Sequence, residues 1–198
     1  MGHGIHQMDL ALSILGDWTE VTAVMSTLER DTETEDVSMA IVRLASGGLL
    51  SIVNSLLSPR ETSYLRFDFE DATVELEHIY GYDNSHWRWT PAAHAAGDAE
   101  RIATWTPSAD GSGSHLAQLT ALVDAMERGE RPVASGVDGR RVLELIAGMY
   151  ASALTGRTVR REELTPEHPF ATAMHGGDPG GATATLGARR LAEAVSRG

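Results

Sequence analysis

The chain has 198 residues, 42% of them hydrophobic and 22% charged, with a net charge of -12 at neutral pH. It contains no cysteine and no lysine, since all 16 basic residues are arginines. Disulfides, thiolate nucleophiles, Cys-ligated zinc and Schiff-base chemistry are therefore excluded, and the acidic balance with scattered arginines speaks against nucleic acid.

The length suits one domain with a core, expected over residues 1–165, followed by a Gly/Ala/Pro-rich extension over 166–198 that is expected to be partly flexible. No apolar run approaches a membrane span and no secretory pattern opens the sequence, so a cytoplasmic location without membrane contact is expected.

Ile5, Met8, Leu12 and Leu15 fall at helical spacing, and Gly16-Asp17 stops that helix. Glu20 to Leu28 is rich in Val and Thr and reads as a strand, although it alternates poorly. After an acidic break, "VSMAIVRLA" and "LLSIVNSLL" form a hairpin through Ser46-Gly47-Gly48. The clearest period-2 run is "SYLRFDFE", with Leu65, Phe67 and Phe69 on one side. It turns at Asp71-Ala72 into a strand carrying Val74 and Leu76. Two more strands are expected around Trp87–Trp89 and Ile102–Trp105.

Ser114 then caps a helix with Leu116, Leu119, Val123 and Met126 on one stripe, ending at Gly129. Ser135 and Asp138 precede a second helix carrying Val142, Leu145, Ile146 and Met149, which ends at Gly156. Hairpins followed by helices predict an α+β fold: an open-faced, mostly antiparallel sheet with helices packed on one face. The uncovered face calls for a partner, and a homodimer through it is expected.

Two groups of residues have the chemistry of a site. An imidazole at the start of a helix, as at His6, suits proton transfer to and from an alcohol oxygen near neutral pH. His3, His6 and Asp9 also share a metal-compatible spacing. Gly2 and Gly4 loosen that turn, however, no further ligand is placed by spacing, and Asp9 suits the helix dipole, so no metal site is expected. The segment "YGYDNSHWRW" gathers Tyr80, Tyr82, Asn84, His86, Trp87 and Trp89. Aromatic faces with hydrogen-bonding tips suit a sugar or polyol, and equally the packed tip of a hairpin. Asn54 and Arg60 flank the end of a neighbouring strand. The candidate substrate-binding residues are His3, Asn54, Tyr80, Tyr82, Asn84 and Trp87.

The order of parts resembles the C-terminal domain of the Gfo/Idh/MocA oxidoreductases. The likeness runs from about Gly2 to Val159, through "GIHQMDLALSILG", "EDVSMAIVRLASGGLLSIVNS" and "HLAQLTALVDAMERGERPVASGVDGRRVLELIAGMYASALTGRTV". Its most specific part is the last, where a G-x-x-P turn, a G-x-D-G cap and a helix ending Y-x-S-A-x-x-G occur in order.

The resemblance implies the substrate-binding and dimerisation half of an NAD- or NADP-dependent dehydrogenase acting on a sugar- or polyol-like small molecule. It places His6 at the family's catalytic histidine. A lysine and an aspartate normally assist. The lysine belongs to the Rossmann half, and Gly2 stands at the aspartate's position. No glycine-rich strand–helix turn is present, so no cofactor-binding residue is expected in this chain and hydride transfer would need a Rossmann-domain partner. Met1 stands where such a half would precede. The alternatives are a cofactor-free isomerase, dehydratase or cyclase using His6 as acid or base, and a non-catalytic interaction module.

Overall fold

The computed structural model describes residues 4–77, 83–105 and 114–187. The chain divides into two compact units, one built from residues 1–59 and 136–198, the other from residues 60–135.

The first unit begins with helix α1 (Ile5–Leu15), which buries Met8, Ala11 and Leu12. Its stop is the expected one: Gly16, at a φ of 86°, turns its N–H back to the Leu12 carbonyl at 3.0 Å. Strands β1 (Trp18–Ser26), β2 (Val37–Leu44) and β3 (Leu49–Ser55) follow. With β7 (Val159–Arg160) they form a four-stranded antiparallel sheet in the order β3-β2-β1-β7.

One face of this sheet carries Val21, Ala23, Met25, Ala40, Val42, Leu44 and Ile52, all buried. They pack with Met8 and Leu12 of α1 and with Val142, Leu145 and Met149 of α4 (Gly136–Thr155) into one core. Gly148 lets α4 approach β1, because a Cβ there would lie 2.9 Å from the Trp18 ring and 3.1 Å from Val21. On the opposite face Val24, Met39, Ile41, Leu49 and Val53 are exposed by 52 to 69%. Helices on one face and an open second face are the α+β arrangement that the sequence predicts.

Beyond the first 3-10 turn after β7 (Arg161–Glu163), the extension carries two short helices, α5 (Pro169–Thr172) and α6 (Pro179–Leu186). The segment looks too poor in apolar residues to hold itself in place. It is held by a non-local contact: Leu186 joins the core and its carbonyl accepts from the Thr27 N–H at 3.1 Å.

The second unit holds an antiparallel three-stranded sheet, β4 (Tyr64–Asp68), β5 (Ala72–Glu77) and β6 (Trp87–Pro91), in that order. Phe67, Ala72, Val74 and Leu76 are buried in it. Phe69 lies past the end of β4 and is half exposed, with its ring stacked on Phe67 at 6.2 Å between centroids. Ile102–Trp105 is not a strand. Asp98 accepts from the Arg101 N–H at 2.9 Å and caps helix α2 (Ala99–Ala103), so a local capping bond overrides the β preference of Ile and Trp. Helix α3 (His115–Arg128) runs from a Ser114 cap to left-handed Gly129, as the pattern predicts.

Candidate functional site

His6 is the second residue of α1 and is exposed. The helix start that carries it is set by Gly4, which is buried and serves as N-cap. Asn54, near the end of β3, brings its carboxamide against Gly4: a Cβ on Gly4 would lie 2.1 Å from Asn54 Oδ1. The same carboxamide donates from Nδ2 to Ser38 Oγ at 3.3 Å. Ser38 is buried and faces Asn54 directly in the β2–β3 register. The first unit thus joins two of the sequence candidates, His6 and Asn54, through a glycine two residues before the histidine. Ser38 carries no sequence signal of its own, because its part depends on strand register.

Asn84 and Trp87 belong to the second unit. Asn84 opens a 3-10 turn capped by Asp83, whose carboxylate accepts from the Ser85 N–H and hydroxyl and bonds to His86 Nδ1. These bonds hold the Asp83 carboxyl below its ordinary range. Trp87 starts β6 opposite Leu76, and Trp89 pairs with Val74. Both tryptophans are half-buried, and Trp89 lies 6.4 Å from Trp105 between ring centroids. His3, Tyr80 and Tyr82 lie outside the described residues.

An open cleft of about 660 Å³ in the first unit is lined by Trp18, Glu20, Glu144, Arg161, Leu164 and neighbouring residues. It lies by the C-terminal end of α1, roughly 15 Å along the helix from His6 at 1.5 Å per residue. Its wall is an ion network in which Arg161 binds Asp17 at 3.1 Å and Glu144 at 3.1 Å, while Arg140 binds Glu144 at 2.9 Å. These charges satisfy one another, so the cleft is a braced edge of the core.

Among the described residues no helix is long and apolar enough to cross a membrane, and no three His, Asp or Glu side chains converge as a metal-binding group. Every strand pairing among the described residues is antiparallel. The parallel strand–turn–helix unit that cradles a dinucleotide pyrophosphate is thus not found among the described residues.

Residues 1–75, which hold α1 and the β1–β3 meander, match one domain family. The family matched is the GFO/IDH/MocA C-terminal domain, over residues 1–75. The chain is 28% identical over 183 residues to D-apiose dehydrogenase of Paraburkholderia graminis, covering 88% of this chain and 48% of that protein. It is similar in structure to the WlbA dehydrogenase of Bordetella pertussis in complex with NADH and UDP-GlcNAcA. That likeness has a TM-score of 0.65 at 21% identity, over 81% of this chain and 45% of the other. The WlbA dehydrogenase of Chromobacterium violaceum, also in complex with NADH and UDP-GlcNAcA, gives a TM-score of 0.60 at 27% identity, with 81% and 45% coverage. The chain spans about half the length of the curated relative it matches. The chain shares the fold of these dehydrogenases over the covered 45% of their length, and its first 75 residues resemble the GFO/IDH/MocA C-terminal domain, as its motifs predict.

Proposed function

We propose that this chain is the substrate-side half of an oxidoreductase acting on a sugar or polyol, with His6 as its acid–base group. The observation that carries the reading is the position of His6: an exposed imidazole on the first turn of α1, in the stretch that matches the GFO/IDH/MocA C-terminal domain. A group so placed would accept or return the proton of a substrate hydroxyl. The names of the relatives support a sugar as substrate class, D-apiose dehydrogenase most directly.

Within this reading Asn54 belongs with His6 at the α1 end of the first unit, and His3 is a further substrate-binding residue proposed from the sequence. Tyr80, Tyr82, Asn84 and Trp87 have side chains suited to a sugar, since aromatic faces stack on C–H surfaces and amides bind hydroxyls. NAD or NADP would be held by a separate nucleotide-binding half. The exposed row of Val24, Met39 and Val53, in register across three strands, supports a homodimer through the open sheet face.

The test is to join the chain behind a nucleotide-binding half and measure sugar-dependent NADH formation. His6→Ala is expected to lower kcat by about 10²- to 10⁴-fold, the usual worth of a general acid–base group. A joined enzyme that keeps its full rate with His6→Ala overturns the assignment.

A further inference from the structure

We propose that Ser38 and Asn54 form a positioning latch that fixes the start of α1, and with it the direction in which His6 is presented. The inference rests on the reading of His6 given above.

Three observations carry it. Ser38 and Asn54 face each other across β2 and β3, and Asn54 Nδ2 donates to Ser38 Oγ at 3.3 Å, so the carboxamide is aimed by a buried hydroxyl. The other end of that carboxamide lies against Gly4, where an added Cβ would be 2.1 Å from Oδ1 and 2.7 Å from Cγ. Gly4 has a φ of -82° and a ψ of -9°, a conformation open to every residue. Space, and not backbone freedom, is what favours glycine at this position, since the Asn54 carboxamide would have to turn aside for a larger residue.

Helix α1 has no side-chain cap at Gly4, and its first turn carries no acidic residue. The approach of Asn54 therefore supplies, from the sheet, lateral support that a Ser or Asp cap usually supplies locally. His6 is two residues on, within the same turn, so a shift of Gly4 is passed to the imidazole with little loss. Such remote support of a catalytic group is how a small misplacement becomes a large loss of rate. Asn54 is thus a positioning residue that acts through Gly4.

Two substitutions break the latch from opposite sides. Asn54→Ala removes the carboxamide, and Gly4→Ala pushes it off Ser38. Measurements on the full 198-residue chain by NMR need neither substrate nor cofactor. Each variant is expected to speed amide exchange at Met8, whose N–H bonds the Gly4 carbonyl at 3.1 Å, by about tenfold, the worth of one hydrogen bond. Exchange at Val42 in β2 should not change. The ring Hε1 resonance of His6 should move in both variants, which simple loss of stability does not produce. Asn54→Ala added to Gly4→Ala should add less than about twofold, because both act on one contact. If Asn54→Ala fails to fold, Ser38→Ala takes its place with the same expected changes. Unchanged Met8 exchange and an unmoved His6 resonance in a folded variant overturn the latch. That outcome is separate from failure of the oxidoreductase reading, which the joined-enzyme assay decides.

Discussion

Gly148 of α4 lies so close to Trp18 of β1 that a single methyl group on it would reach within 2.9 Å of Cη2 of the indole. The neighbours cannot yield, since Trp18 is 1% and Val21 0% exposed. Alanine normally favours a helix over glycine by about 1 kcal/mol, and here the clash reverses that sign. Gly148→Ala is expected to destabilise by about 1–3 kcal/mol, seen as a lower midpoint in urea with an unchanged slope. A variant at least as stable as the parent would show that α4 does not ride on β1 at this distance.

Asp36 is buried, and its carboxylate accepts from the backbone N–H groups of Leu28, Glu29 and Arg30 at 2.8 to 3.0 Å. Burial pushes its carboxyl up, but the three donors together outweigh burial and hold it below its ordinary 3.8. The stability this confers is present above about pH 4 and is lost as pH falls through the lowered folded value. Asp36→Ala is expected to cost about 2–4 kcal/mol at neutral pH. It should also flatten the acid limb of a stability–pH curve measured by urea denaturation, and an acid limb identical to the parent's would remove Asp36 from this role.

Tyr150 of α4 donates its hydroxyl to Glu35, which is buried in the segment between β1 and β2. Burial first, and then the bond to Glu35, push the Tyr150 hydroxyl well above its ordinary 10. Because the folded value is raised, its contribution is complete below about pH 10 and is lost as pH rises toward the folded value. Tyr150→Phe is expected to cost about 1–3 kcal/mol at neutral pH, with a smaller penalty in strong alkali. Ultraviolet absorbance should show the tyrosine that distinguishes the parent from Tyr150→Phe ionising only as the parent unfolds. Ionisation of all four tyrosines in the folded parent would contradict the pairing.

These two ties show where sequence and structure part. The alternation of Leu65 and Phe67 and the caps at Ser114 and Gly129 are local signals, and the elements they announce form where expected. Strand β1 is less plain, because its inner positions Val21, Ala23 and Met25 alternate with Thr22 and apolar Val24, which faces outward on the open side. Asp98 was a legible cap, masked by the β preference of Ile102 and Trp105. The supports of the site are of another kind. The approach of Asn54 to Gly4, its bond to Ser38, and the burial of Leu186 all join residues far apart in sequence, and no spacing rule encodes them.

The open face of the four-stranded sheet makes a separate prediction. Val24, Met39 and Val53 lie side by side in register, each more than half exposed. If this row seals a homodimer, Met39→Glu places a charge at its centre and should convert the dimer to a monomer in sedimentation equilibrium at micromolar concentration. The inward-facing core is untouched, so thermal unfolding of the resulting monomer should remain cooperative. A parent that is monomeric at those concentrations removes the sheet face from the account.

The central claim is that this chain provides the substrate side of an oxidoreductase and leaves the nicotinamide to another half. Titration of NADH into the 198-residue chain, followed by NADH fluorescence and calorimetry, tests it most directly. The account predicts no saturable binding, because every described strand pairing is antiparallel and lacks a pyrophosphate cradle. Saturable binding with a micromolar Kd would contradict it.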